Sequence, residues 1–260
     1  MALATYSLTW ITLLQFDLDY DQISLYFVFF ATITGYNFVK YFGIAKFHHR
    51  RLANWLKAIQ VFSLFSFFGL AYYAYYLILN TKFLIAILGI ITFLYAIPLL
   101  PRTYFVDDNS NLRQISGLKV YVIALVWSLA TVLLPTLQNE IIVNNDVLIT
   151  VIQRFLYVFV LMMPFEIRDL NYDSIKLGTI PQRIGIKKTK IIGILMLIPF
   201  FFLEYFKDEL KANQIIINLI ITFITALFLV FSNKEQSKYY SAFWVEALPL
   251  FWLVLVLVFR

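Results

Sequence analysis

The chain has no cysteine. That excludes disulfides, thiolate metal sites and a cysteine nucleophile, and it leaves the compartment to be read from other features. Charge is scarce as well: 14% of residues are Asp, Glu, Lys or Arg, against about 25% in a soluble domain. The only two histidines, His48 and His49, are adjacent and would point apart on a helix, so they do not make a two-ligand metal site. With Arg50 and Arg51 they read as a topology and headgroup signal. Period-two alternation of a membrane barrel is missing, as are a clear internal repeat and any stretch long enough to fold as a separate soluble domain. The opening MALATYSLTWITLLQF has no basic region and no small-residue cleavage site of a signal peptide. What is abundant is apolar surface, at 62% of 260 residues with 19% aromatic. One water-soluble core cannot hide that much. The bilayer is therefore the solvent, and residues 1–260 read as a single polytopic, all-α membrane domain. The formal charge of +6 is spread between apolar runs, where membrane topology puts it, and excludes nucleic acid as a partner.

Apolar runs of span length, bounded by charges, Asn, Gly or Pro, predict nine transmembrane helices at 2–16, 23–43, 55–79, 83–100, 118–137, 147–165, 190–206, 214–231 and 239–259. Of 21 Lys and Arg, sixteen fall in even-numbered loops and their helix ends. Four (Lys82, Lys207, Lys211 and Arg260) fall on the other side, and Arg154 lies inside a span. The positive-inside rule then predicts a multi-pass protein of the cell's inner (plasma) membrane, with a cytoplasmic N-terminus and Arg260 outside. The first run, at about 16 residues, is short against the ~20 a span needs, which leaves two readings: a thin or tilted span, or a natural start upstream of Met1, the second being the favoured expectation. The longest loops, after spans four and six, face the cytoplasm, and long loops are where function concentrates.

The second of these loops carries the most chemistry. Residues 165–188 read FEIRDLNYDSIKLGTIPQRIGIKK. Glu166, Asp169 and Asp173 are spaced i, i+3, i+7, and on a helix they share one face. Such carboxylates can hold Mg²⁺ when a ligand supplies further oxygens, and Arg168, Lys176 and Arg183 stand close enough in sequence to meet phosphate. The plainer alternative is a helix end dressed with acids and bases at the membrane surface.

Asp169-Leu-Asn-Tyr-Asp173, followed by Gly178-Thr179-Ile180-Pro181 and Gly185, resembles the second aspartate-rich motif of the UbiA superfamily of membrane prenyltransferases. The spacing to the proline is about one residue short. The region from Leu94 and Tyr95 through Arg102, Arg113, Lys119 and Trp127 is similar to that family's fourth-to-fifth-span region. The resemblance implies a nine-helix bundle around a lipid-sized cavity, a prenyl diphosphate held through Mg²⁺, and transfer of the prenyl group to a lipophilic, often aromatic, acceptor. It implies Asp169 and Asp173 as catalytic metal ligands with Glu166 as a third oxygen donor. Asn37, Lys40, Arg113, Lys119, Lys176 and Arg183 are then the candidates for diphosphate contacts. The family's first motif should fall at the end of span two. There Asn37 is present, but Tyr41 and Ala45 stand where aspartates are expected, and neither is an anionic ligand. A non-catalytic lipid-binding or scaffolding protein that kept the fold is the alternative.

Further features have simpler readings. Asp17, Asp19 and Asp21 form an acidic outer loop, since the glycine and closing glutamate of a calcium loop are missing. Arg154 and Glu246 lie inside spans, where an ionisable residue faces a partner or a cavity. They are candidates to pair with each other. Pro98, Pro135, Pro164 and Pro249 are placed to kink helices.

Overall fold

The computed structural model describes residues 1–45, 54–96, 117–171, 178–237 and 239–259; for residues 40–45, 54–58 and 96 it describes the backbone alone. The described residues are helical, with no strand among them. In chain order the helices are α1 (Ala2–Gln15), α2 (Gln22–Ala45), α3 (Asn54–Tyr76), α4 (Leu79–Ala96), α5 (Leu118–Gln138), α6 (Asn145–Asp169), α7 (Ile180–Phe206), α8 (Ala212–Phe231) and α9 (Tyr240–Phe259).

Six of these are long and apolar enough to cross a membrane: α5 to α9, and α2 over Gln22–Val39. Leu79–Tyr95 in α4 is a shorter apolar helix. With 14 residues, α1 is about 21 Å long and falls short of the ~30 Å hydrocarbon core. The chain is thus an all-helical, multi-pass membrane protein, and the nine-span expectation rests on six helices that meet the criterion.

Side-chain distribution agrees with a lipid exterior. Large apolar residues such as Phe65, Phe83, Phe223 and Val258 are exposed, while Thr9, Thr12, Ser128, Thr131, Gln153, Arg154, Glu204 and Asn218 are buried. Polar groups turn inward because hydrocarbon offers them no hydrogen bonds. Several hydroxyls return to their own helix, as Thr9 Oγ1 does to the Thr5 carbonyl (2.9 Å) and Thr131 Oγ1 to that of Trp127 (2.7 Å).

Helix α6 is the axis of the bundle. It is the most buried of the six spans, and it packs against α5, α7, α8 and the first turn of α9. Its start is fixed by Asn144, whose side-chain oxygen accepts from the Val147 N–H (3.0 Å), satisfying one of the orphan donors of a helix N-terminus. Helix α1 lies between α2 and α9 and touches the middle of α5. At Gly193 on α7 an added Cβ would come within 2.6 Å of Met163 Sδ and closer still to the Leu229 side chain. Glycine there lets α6, α7 and α8 approach, as small residues do in membrane helix packing.

Pro135 and Pro249 act through the turns that precede them, while Pro164 lies inside α6 without a widened turn before it. Wide π-turns run over Leu129–Leu133 and Tyr240–Val245. Each covers the residue four before a proline, Thr131 before Pro135 and Val245 before Pro249. A proline ring clashes with the carbonyl four residues back, and a widened turn makes room for it. Pro98 lies outside the described residues.

Loop contacts set two ends. At one end Asp17 pairs with Lys211, Asn139 Nδ2 donates to Asp21 Oδ2 (3.2 Å), and Asn213 Nδ2 donates to the Phe259 carbonyl (2.8 Å). At the other end the Met1 amine pairs with Glu246, Gln236 Nε2 donates to the Pro164 carbonyl (2.8 Å), and Asn171 Nδ2 donates to the Lys234 carbonyl (2.8 Å).

Two sequence expectations change here. Arg154 and Glu246 do not pair. Arg154 donates to the Leu8 carbonyl (2.6 Å) and Thr12 Oγ1 (3.2 Å) and lies over the Trp252 ring, 5.1 Å from its centroid. Glu246 sits a different depth along α9, at the Met1 end, where the terminal amine meets it. Helix α7 also begins at Ile180, ten residues before the apolar run starts. Its first turns carry Arg183, Lys187 and Lys188, and it bends at Gly185, whose φ of 80° only glycine adopts readily.

Candidate functional site

The C-terminal turn of α6 brings the expected acidic residues to the Met1 end. Glu166 is buried, at 3% exposure, and its Oε1 accepts from Lys119 Nζ at 2.8 Å. Its Oε2 is buried with no hydrogen-bond partner. The same ammonium of Lys119 is 3.8 Å from Asp169 Oδ2. Arg168 closes the other side of Asp169, with Nη2 at 2.7 Å from Oδ1, and its Nη1 donates to Ser241 Oγ on α9 (2.9 Å). Two carboxylates and two cations from α5 and α6 thus form one cluster, tied to α9.

Local sequence explains the convergence. Helix α6 ends at Asp169, and Leu170 and Asn171 form a turn. Helix α5 starts after Gly117, held at φ 71°, which places Lys119 in its first turn. Helix α7 starts at Ile180 after Gly178, at φ 52°. The Thr179 N–H donates to Gln182 Oε1 (2.9 Å), half of a capping box. A Cβ built on Gly117 would lie 3.6 Å from Ile180 Cγ1, so the N-termini of α5 and α7 adjoin. Helix N-termini carry partial positive charge and favour anions.

Other candidates stand apart or outside. Asn37 Nδ2 donates to Ser63 Oγ (2.7 Å) and ties α2 to α3. Arg183 is exposed in the first turn of α7. Asp173, Arg113, Lys176 and the histidine pair lie outside the described residues, as do the side chains of Lys40, Tyr41 and Ala45. The shared helix face expected for Glu166, Asp169 and Asp173 is therefore described only as far as Asp169. Among the described residues no three metal-ligating side chains converge.

A second polar cluster, at the Asp17 end, was not singled out from sequence. Glu204, fully buried, accepts at Oε2 from Gln153 Nε2 (3.0 Å), Asn218 Nδ2 (2.9 Å) and Lys207 Nζ (2.8 Å). Gln153 Nε2 also reaches the Phe200 carbonyl (3.1 Å). This links α6, α7 and α8. Its one sequence signal is a carboxylate inside the apolar run 190–206, three residues before a lysine. Burial holds Lys207 below the usual lysine range, an effect opposed by Glu204. At the same end a cleft of about 340 Å³ opens between α1, α8 and α9, with Asp17 and Lys211 on its rim and Leu14, Ile217 and Val256 in its walls.

No family model, curated protein or solved structure matches this chain.

Proposed function

We propose that the Met1 end of the bundle binds the diphosphate headgroup of a prenyl diphosphate, and that the chain is a divergent UbiA-like prenyltransferase. The observation that carries this reading is the meeting of Glu166, Asp169, Lys119 and Arg168 beside the first turns of α5 and α7. In this reading the chain crosses the plasma membrane nine times, the Met1 end faces the cytoplasm, and the prenyl tail lies among the spans.

The reaction class implied by the resemblance is ionisation at an allylic carbon. The bond from prenyl C1 to diphosphate oxygen breaks, and its electron pair leaves with diphosphate. A nucleophilic acceptor then captures the allylic cation and loses a proton. Diphosphate departs only when its growing charge is neutralised. Lys119 and Arg168 would meet phosphate oxygens as donors, with Lys40, Arg113, Lys176 and Arg183 assigned to the same task. The orphaned, buried Oε2 of Glu166 and the carboxylate of Asp169 are the hard oxygen donors Mg²⁺ prefers, two donors that in this reading Asp173 and the diphosphate oxygens would have to complete. Bound there, the ion would supply charge neutralisation on the departing diphosphate.

A non-catalytic lipid-binding or scaffolding protein is the second reading, favoured by Tyr41 and Ala45 in the first motif. Purified protein offered geranylgeranyl diphosphate with Mg²⁺ separates the two. Release of pyrophosphate supports the enzyme, while tight binding without release supports the scaffold. Asp169→Asn that leaves both binding and release untouched removes this site.

A further inference from the structure

The cleft at the Asp17 end is not explained by the chemistry of the Met1 end. Its walls are the buried side chains of Leu14, Ile217 and Val256, one each from α1, α8 and α9. At about 340 Å³ it has the size of a small ligand pocket, ~300–1,000 Å³. Two contacts fix its sides. Lys211 pairs with Asp17 between α8 and the end of α1, and Asn213 Nδ2 donates to the Phe259 carbonyl between α8 and α9 (2.8 Å). Helix α8 begins at Ala212 and α9 ends at Phe259, so the cleft sits at the ends of two membrane-spanning helices, at the height where lipid headgroups meet water. Its described rim carries one charge of each sign, Lys211 at 36% and Asp17 at 59% side-chain exposure. No side chain caps α8. The N–H groups of its first turn, where Ala212, Asn213 and Gln214 line the cleft, stay outside the helical ladder and add positive potential on the lysine side.

We propose that this cleft binds one zwitterionic phospholipid whose ammonium carries protons, with its phosphate on Lys211 and the first turn of α8 and its ammonium on Asp17. The assignment is independent of what the Met1 end binds. Apolar walls beneath a polar mouth match an amphiphile. A mouth of paired opposite charges matches a zwitterion, since a purely anionic headgroup would set its phosphate against Asp17 with nothing to offer the carboxylate. The ion pair does not have to open. An ammonium has three donors and a carboxylate about four lone-pair sites, so the headgroup adds its two charges to the two already paired and closes a ring of alternating sign. A trimethylated ammonium has no N–H to donate and loses the charge-assisted hydrogen bond to Asp17. An exposed ion pair contributes little to stability by itself; at the mouth of an apolar cleft it selects a headgroup.

The test uses the full chain in detergent, titrated separately with dioleoyl phosphatidylethanolamine, phosphatidylcholine and phosphatidylglycerol, with lipid-bound states resolved by native mass spectrometry. One phosphatidylethanolamine is expected to bind about tenfold more tightly than either other lipid, the size of one charge-assisted hydrogen bond. Asp17→Asn, a substitution compatible with the φ of 52° at this position, should erase that preference. Lys211→Met should weaken phosphatidylethanolamine binding about tenfold. Ala212→Trp, at an exposed position on the cleft, should block the mouth without touching the core, and it serves as the reporter if a charge variant does not fold. Phosphatidylglycerol binding as tightly as phosphatidylethanolamine to the wild type would overturn the zwitterion site. A preference that survives Asp17→Asn or Ala212→Trp would overturn it as well, by placing the lipid elsewhere. Equal uptake of all three lipids by the wild type and every variant would mean annular lipid only and would overturn it too.

Discussion

Glu204 offers the sharpest test of how this bundle is held together. Its Oε2 takes hydrogen bonds from Gln153, Asn218 and Lys207 at 2.8–3.0 Å, and the side chain is fully buried. Lys207 is 6% exposed, so its charge has little water to fall back on. Glu204→Gln keeps the size and one acceptor oxygen but strands the ammonium. Lys207→Met strands the carboxylate with two neutral donors. Breaking a buried pair by removing one partner costs about 3–5 kcal/mol. Lys207 sits at a helix end, where a long side chain can reach toward water, so about 3 kcal/mol is expected for each single change. The double variant removes both charges and retains a hydrogen-bonded neutral cluster, so its loss should fall short of the sum by about 2 kcal/mol, within the range of couplings between contacting residues. Reversible unfolding in mixed detergent micelles measures all four corners of the cycle. Additive losses, or single losses below about 0.5 kcal/mol, would refute the idea that this network fastens α6, α7 and α8 as a unit.

Three further outcomes follow from the same packing. Gly193→Ala should destabilise by about 1–3 kcal/mol through overpacking against Met163 and Leu229, read in the same unfolding assay, while Gly89→Ala, whose Cβ meets nothing within 4 Å, should not. Arg154→Lys should cost about 1.5–3 kcal/mol: an ammonium cannot reproduce the planar fork that reaches the Leu8 carbonyl and Thr12 while covering Trp252. Burial lowers the Lys207 pKa from its ordinary 10.5, so the unfolded chain binds more protons in the window just below 10.5. Stability should therefore rise with pH through that window, and thermal unfolding of Lys207→Met should lack the rise.

The helices most legible in the sequence were those whose evidence is local. The apolar runs of α2, α5, α6, α8 and α9 announce themselves because lipid selects their composition residue by residue. The start of α7 was misplaced by ten residues because Lys187, Lys188 and Lys190 look like a loop, although a helix emerging from a membrane tolerates lysines on its first turns. The depth of Arg154 was legible from its place in an apolar run. Its partners were not, because one is the backbone carbonyl of Leu8, 146 residues away, and a carbonyl leaves no trace in side-chain chemistry. Lys119 and Glu166 both belong to the end where the basic loops gather, so their common end was readable, but a separation of 47 residues hides the contact. Glu204 went unnoticed because its neutral partners, Gln153 and Asn218, carry no charge to flag them.

The two polar clusters divide fastening from ligand chemistry by access to water. A ligand must exchange with solvent, and the Glu204 cluster is closed to it: the carboxylate is fully buried and Lys207 nearly so. The Glu166 cluster has the same kind of buried carboxylate, but its rim is open, with Lys119 at 37% and Asp169 at 21% exposure. Opening the first requires separating packed helices, whereas the second already meets water at its rim. Substitutions in the two clusters should therefore sort into different assays. The paired change Glu204→Gln with Lys207→Met should move unfolding and leave Mn²⁺-dependent pyrophosphate binding near wild type, since distant sites with no shared partners act independently. Asp169→Asn, at a carboxylate on the open rim, should do the reverse. A loss of pyrophosphate binding in the Glu204 and Lys207 variant, at temperatures where it remains folded, would mean that α6 transmits between its ends and that access alone does not divide the work.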